Sequence, residues 1–371
     1  MKYNKGLDSL RAFAAIAVIA YHWSHLLPFG WIGIQLFFVL SGYLITNSLL
    51  DSSSRSTEGF LSFYNVFFVR RLLRLAPLYF LFCGIWFFVW LITKRPPSFP
   101  DAAPYLFSYT LNIAAMFPDF EGVPLYAHLW SLGVEAQFYL FWPFVVYFTN
   151  RRNLFLILIV MVIVAPCLRW LTYNFFVQDF SGDLYRSAGP VYFSPVSYID
   201  AFAFGGLLTY RSVVAAVGRG LVVLITSFTC VTAGGLVAFY GMRNGYLSIG
   251  SLGWPNYMPY FYQYVWGYSL LGSLFFSIIA LVLLNPTSRM LNNRMFTYLG
   301  KVSYGLYVWH APVVVFFMNF VVRKYVASEL LNTILFFCAL CVVVFVSHLS
   351  YQQFEVKFLN LKGRVRPVEG K

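Results

Sequence analysis

Long apolar runs, broken by short polar and basic stretches, dominate the chain. Runs long enough for a hydrocarbon core of about 30 Å recur at about ten places, near 7–26, 31–50, 75–93, 127–148, 154–173, 195–210, 216–240, 264–284, 302–321 and 330–352. Each is too long for a typical strand and reads as a helix. The predicted fold is therefore all-α, a polytopic transmembrane helical bundle of about ten spans. The run at 195–210 is the weakest, being short and glycine-rich (IDAFAFGGLL). With no clear repeat and no low-complexity linker, residues 1–355 read as one transmembrane domain and 356–371 as a basic tail.

Composition supports the membrane reading. The 371 residues are 60% hydrophobic, 21% aromatic and only 11% charged, with a mean hydropathy of +0.70, far from a soluble domain. The net charge of +13 would suit nucleic acid, but the basic residues sit in short groups between apolar runs. They read as topological signals, and nucleic-acid binding is not expected. With the N-terminus placed inside, Lys2, Lys5, Arg55, Arg151, Arg211, Arg219, Arg289 and Lys371 fall on the cytoplasmic side with most of the rest. Lys94, Arg95, Arg186, Arg243, Arg323 and Lys324 fall outside. This bias predicts both termini in the cytoplasm and an even number of spans. Cys83, Cys167, Cys230, Cys338 and Cys341 lie in apolar runs without metal-ligand spacing and read as small buried hydrophobes.

The first run, KGLDSLRAFAAIAVIAYHWS, carries Arg11 and His22 eleven residues apart. That is close to three helical turns, so a cation and a base leave one face, separated by about 16 Å along the axis. Ionisable groups at membrane depth are costly and usually serve a function. The plain alternative is an interfacial anchor at Arg11 and a hydrogen-bonded interior histidine at His22. In the second run Gly33, Ser41 and Gly42 allow close helix approach.

Three arginines, Arg70, Arg71 and Arg74, gather before Pro77, where i, i+3 and i, i+4 spacing makes one cationic face. Guanidinium forks suit phosphates, although such a cluster also suits lipid headgroups. In HLWSLGVEAQFYLFWP, Ser131 and Glu135 share a helical face. Glu135 lies at a depth close to that of His22, and a carboxylate beside an imidazole would raise its basicity. Pairing of Glu135 with an arginine or a hydroxyl is the alternative. His310, bracketed by Tyr307, Trp309 and Pro312, reads as a packing or proton-network residue, and His25 as a loop residue. The five histidines form no metal-ligand pattern, so no metal is expected.

Taken together, the Arg11 to His22 element, FFVLSGYLI at 37–45, RRLLRLAP at 70–77, WSLGVEAQFYLFWP at 130–143 and SYGLYVWHAPV at 303–313 resemble the acyltransferase type 3 family, the bacterial integral-membrane O-acyltransferases of surface glycans and small molecules. The motifs run in family order over nearly the whole chain. Two departures stand out: Tyr198 where relatives often carry arginine, and Ala136 where a second acidic residue is frequent.

The resemblance implies a multi-pass protein of the bacterial cytoplasmic membrane that moves an acyl group, acetyl first, from cytoplasmic acyl-CoA to a hydroxyl of an extracytoplasmic or lipid-linked glycan. His22 would act as general base or acyl carrier, with Glu135 stabilising the imidazolium. Arg11, Arg70, Arg71 and Arg74 would hold the donor phosphates, while Ser131, Trp130, Tyr139 and His310 would support the acceptor side. Acyl-CoA is a co-substrate, and no cofactor is implied. Membrane lipid surrounds the chain, and the oligomeric state stays open, a homo-oligomer included. The aromatics Trp23, Trp31, Tyr126, Trp130, Tyr192, Tyr198, Trp254 and Tyr257 would line the outer mouth, as sugar-stacking rings or as an ordinary aromatic belt. A secondary transporter of a small anionic or sugar-like solute is the competing class. Transporters often show paired repeats with broken helices, and none is evident in the sequence.

Overall fold

Asn4 starts the first helix, α1 (Lys5–His22): its side-chain oxygen accepts from the Gly6 amide at 2.9 Å, and Asp8 places negative charge in the first turns. In this computed structural model, residues 3–23, 26–53, 59–180, 183–218, 220–289, 291–322, 328–362 and 365 are described, and all regular structure among them is helical. After α1 come α2 (Gly33–Ser53), α3 (Phe60–Thr93), α4 (Phe99–Phe107), α5 (Leu111–Ala114), α6 (Trp130–Phe148) and α7 (Arg151–Phe176). The chain continues through α8 (Leu184–Ser187), α9 (Gly189–Phe193), α10 (Ile199–Leu207), α11 (Arg211–Val217), α12 (Leu221–Arg243), α13 (Gln263–Leu284), α14 (Arg294–Lys301) and α15 (Ser303–Phe317). Helices α16 (Glu329–Ser350) and α17 (Val356–Lys362) follow, joined by a π-helical turn at Tyr351–Glu355. His25, Lys2, Arg55, Arg219, Arg323, Lys324 and Lys371 lie outside the described residues.

Among the described residues, seven helices are long and apolar enough to cross a membrane, or eight if Pro195–Leu207 and Arg211–Val217, bent by 95°, make one span. The chain is thus a multi-pass membrane protein. Ten spans were expected. The two others fall on α1 and α6, 18 and 19 residues long, enough for about 27 to 28 Å. Both carry polar side chains within the span, Lys5, Asp8 and Arg11 on α1 and Ser131, Glu135 and Gln137 on α6.

Three boundaries differ from expectation. Helix α3 begins at Phe60 rather than near residue 75, and Pro77 removes one N–H without ending it. The run expected at 195–210 stops at Leu207, where Leu208, Thr209 and Tyr210 donate to carbonyls three residues back and tighten the chain into a turn. The last helical stretch runs on to Lys362, into what reads as tail. The cysteines also divide: Cys83 and Cys230 are buried, but Cys167, Cys338 and Cys341 are exposed on outward faces of their helices. An apolar run says that a thiol is in a membrane helix, not which way it faces.

Two compact units share the chain. The first comprises Met1–Asn47, Ala115–Pro118 and Arg151–Lys301. Here α1 meets α14 backbone to backbone: a Cβ added at Gly300 would fall 1.8 Å from the Asp8 carbonyl oxygen. Gly33 also packs closely on α1, its would-be Cβ 2.5 Å from the Ala14 carbonyl oxygen, and Gly42 sits against the Phe202 backbone. The close approach expected of Gly33 and Gly42 is present.

The second unit comprises Ser48–Ala114, Asp119–Asn150 and Val302–Lys371. In it α15 lies along α16, and α17 folds back onto α3. Tyr79 on α3 donates to the Leu106 carbonyl at 2.8 Å, and Asn112 and Gln137 exchange amide hydrogen bonds of 3.2 and 3.0 Å that tie α5 to α6.

Candidate functional site

Arg11 and His22 stand on the uninterrupted helix α1, in the first unit. Arg11 donates to Asp8 one turn earlier, Nη1 to Oδ1 at 3.1 Å, and Tyr3 donates to the other oxygen of that carboxylate. The cation is therefore held toward the start of the helix. At the other end, His22 is exposed, and its Nδ1 lies 2.9 Å from the Val18 carbonyl oxygen. A carbonyl can only accept, so Nδ1 carries a proton, and in the neutral ring the lone pair sits on Nε2. This is the tautomer that a base acting through Nε2 requires.

The aromatics expected at an open outer mouth are instead interior. Trp23, Trp31, Tyr192, Tyr198 and Trp254 in the first unit, and Tyr126 and Trp130 in the second, are all buried, while Tyr257 is half-buried. Trp31, for example, donates to the Trp254 carbonyl at 3.0 Å and meets the Tyr192 ring edge-on. Seven of these eight rings fill the protein core and present no open stacking face.

The remaining candidates fall in the second unit. Arg70, Arg71 and Arg74 project from α3, all partly buried. The Arg71 guanidinium lies 5.5 Å from the Phe67 ring centroid and 5.9 Å from that of Tyr139, a cation–π arrangement. The Tyr139 hydroxyl in turn donates to the Glu135 carboxylate one turn back on α6. Glu135 thus has the hydroxyl partner that was the alternative for it, and the arginine and glutamate motifs meet through one phenol. Ser131, a further turn along the same face, bonds the Tyr307 hydroxyl at 2.6 Å.

Tyr307 gathers a second polar group. It donates to the His128 carbonyl at 2.6 Å, and its own carbonyl accepts from His310 Nδ1 at 2.6 Å. His128 and His310, both buried, pack edge to face with ring centroids 4.7 Å apart. His310 is thus a network residue in the interior.

Sequence reasoning missed two charged groups here. Glu355, in the π-helical turn, is buried, bonded by Ser350 at 3.2 Å and within electrostatic reach of Arg74. Lys362 ends α17, on the helix that folds onto α3. The one signal for Glu355 is a carboxylate at the end of an apolar run; nothing marks Lys362 among the other basic residues of the tail.

Elsewhere in the first unit, Arg169 and Asp200 form a fully buried ion pair at 2.9 Å. Arg169 also donates to the Ser197 and Val265 carbonyls at 2.7 and 2.9 Å and to the Ser269 hydroxyl, which donates to Asp200. Tyr198, where relatives often carry arginine, donates instead to the Tyr192 carbonyl at 2.7 Å. The cation beside Asp200 comes from α7. No cluster of three or more histidine, cysteine or acidic side chains fit for a metal lies among the described residues.

Comparison with known proteins covers most of this chain. A family model described as an acyltransferase domain matches residues 4–351. The O-acetyltransferase OatA of Staphylococcus aureus (strain NCTC 8325 / PS 47) is 30% identical over 338 residues, 87% of this chain and 52% of that protein. A putative O-acetyltransferase, SAS0844, of Staphylococcus aureus (strain MSSA476) is 28% identical over 382 residues, 96% of this chain and 58% of that protein. The chain therefore spans about half the length of the curated relatives it matches. No solved structure matches it.

Proposed function

The chain belongs to the acyltransferase family whose domain it matches, and from that premise we propose that it is a membrane O-acyltransferase carrying acetyl from acyl-CoA to a glycan hydroxyl. The observation that carries this reading is His22: an exposed imidazole whose Nδ1–H is engaged by Val18, so that in the neutral ring Nε2 bears the lone pair. In the proposed reaction Nε2 takes the proton of the acceptor hydroxyl as that oxygen attacks the thioester carbonyl. The carbon–sulfur bond breaks, and the leaving thiolate takes the proton from the imidazolium, giving an ester and free CoA thiol. A covalent variant passes the acyl group through Nε2 itself.

The donor's phosphates are assigned to Arg71 and Arg74, whose guanidinium forks match phosphate oxygens, and to Arg70, which adds its charge while its Nε and Nη2 donate to the Val365 carbonyl. Arg11, held toward the start of α1 by Asp8, is assigned to the same donor on the cytoplasmic side. Glu135, Tyr139, Ser131 and His310 support the reacting groups through the hydrogen bonds of their own unit. The acceptor is a surface or lipid-linked saccharide on the outer side of a bacterial cytoplasmic membrane. These assignments draw on the activity for which the relatives are named, O-acetyl transfer.

The competing transport reading gains one broken helix, the 95° bend after Leu207. That bend lies at the end of α10 opposite Asp200, and the Arg169–Asp200 pair is itself engaged by carbonyls and Ser269. Purified protein separates the two readings. Acceptor-dependent release of CoA thiol, with an acetyl increment on the glycan by mass spectrometry, supports the enzyme. Solute flux without thiol release overturns it.

A further inference from the structure

Helix α17 carries two lysines with different surroundings. Lys357 is exposed, whereas Lys362, five residues on, is half-buried on the helix that folds against α3. Just beyond Lys362 the chain is fastened to the same place: Arg70 donates from both Nε and Nη2 to the Val365 carbonyl, at 2.9 and 2.7 Å. The charges that act on Lys362 are those of Arg71, Arg74 and Arg70. Glu355 sets one carboxylate within reach of Arg74, and three arginines and a lysine are gathered in the same place. Like charges held together out of bulk water repel and oppose folding. A fold that nevertheless brings them together makes a place for a polyanion.

We infer that Lys362 is a fourth cation of the phosphate-binding cluster, delivered onto Arg70, Arg71 and Arg74 by the folding of α17 against α3 and fixed there by the Arg70–Val365 bonds. The inference rests on the donor reading above and deepens it. The ligand chemistry is that of a nucleotide bearing several phosphate groups. A 3′-phosphate and a diphosphate together carry about four negative charges near neutral pH, a number that the three arginines and Lys362 match. Lys supplies a mobile point charge, while the arginines supply planar forks. Lys362 therefore tunes affinity and leaves geometry to its neighbours. Glu355, bonded by Ser350, is a positioning residue for Arg74.

The test measures binding of adenosine 3′,5′-bisphosphate to the full chain in nanodiscs, alongside acetyl-CoA kinetics. The dissociation constant and the KM for acetyl-CoA should rise roughly tenfold in Lys362→Met with kcat unchanged. Lys362→Arg, which keeps the charge, should recover most of the lost affinity, and Lys357→Met, which removes the exposed lysine of the same helix, should behave as wild type. Loss of bisphosphate binding in Arg71→Met but not in Lys362→Met overturns the inference and leaves the donor reading standing. Absence of binding in wild type overturns both. If the bisphosphate binds wild type in neutral phosphatidylcholine nanodiscs and Lys362→Met weakens it there, the nucleotide source is supported. If Lys362→Met reduces only the retention of phosphatidylglycerol, the cluster holds lipid headgroups and the inference fails.

Discussion

The hydroxyl of Tyr139 donates to the carboxylate of Glu135 one turn away on α6, while the face of the same phenol lies 5.9 Å from the Arg71 guanidinium. One ring thus joins a hydrogen bond to the glutamate and a cation–π contact to the arginine. Tyr139→Phe keeps the ring over Arg71 and removes only the donor to Glu135. Loss of a hydrogen bond to a charged group costs about 1.5 to 3 kcal/mol. The expected result is a fall in acceptor-dependent thiol release of about tenfold or more, with KM for acetyl-CoA nearly unchanged. Tyr139→Leu, which also removes the π face, should raise that KM as well.

His22→Ala should abolish transfer, by at least about a hundredfold, the usual contribution of a general base. The sharper variant is His22→Asn. An asparagine amide can still donate to the Val18 carbonyl, but it offers no basic nitrogen. Its activity should therefore match that of His22→Ala, while the protein elutes from a detergent column as wild type does. Activity near wild type in either variant removes His22 from the reaction.

Particular residues show what a single chain can disclose of such a protein. The apolar runs of α2, α12 and α13 are legible because membrane helices must be long and apolar. The Arg11 to His22 spacing is legible because it lies within one helix. Glu135 stands out as a carboxylate in an apolar stretch, yet its partner Tyr139 is one of 27 tyrosines and carries no mark of its role. The start of α3 at Phe60 is hidden because Ser62, Tyr64 and Asn65 dilute the run, although nothing there breaks a helix. Lys362 and Glu355 are the least legible. Their neighbours on α3 lie nearly three hundred residues earlier, and only tertiary folding brings them together.

Arg169 and Asp200 are fully buried and joined at 2.9 Å. Removing one partner strands the other charge, which typically costs about 3 to 5 kcal/mol. Arg169→Met should therefore lower the thermal unfolding temperature in detergent sharply, as should Asp200→Leu. The double variant Arg169→Met/Asp200→Leu should recover much of the loss, because neither charge is then left alone. Equal additivity of the two losses would mean that the pair is not coupled.

Gly300 tests whether α1 depends on its neighbour. A methyl at this position would lie 1.8 Å from the Asp8 carbonyl oxygen, a backbone atom that cannot swing aside, so α14 must move off α1. Overpacking of this kind costs about 1 to 3 kcal/mol or more. Asp8 also holds Arg11 at 3.1 Å, so the displacement reaches the candidate donor-binding cation. Gly300→Ala should lower the unfolding temperature and raise the KM for acetyl-CoA together. Gly84→Ala is the matched control: Gly84 sits within α3 with no atom within 4 Å of the added carbon. There the same substitution should be neutral or stabilising by about 0.5 to 1 kcal/mol, because alanine loses less backbone freedom in a helix. Equal behaviour of the two variants in a thermal melt would mean that the α1–α14 contact tolerates a methyl and does not set the position of Arg11.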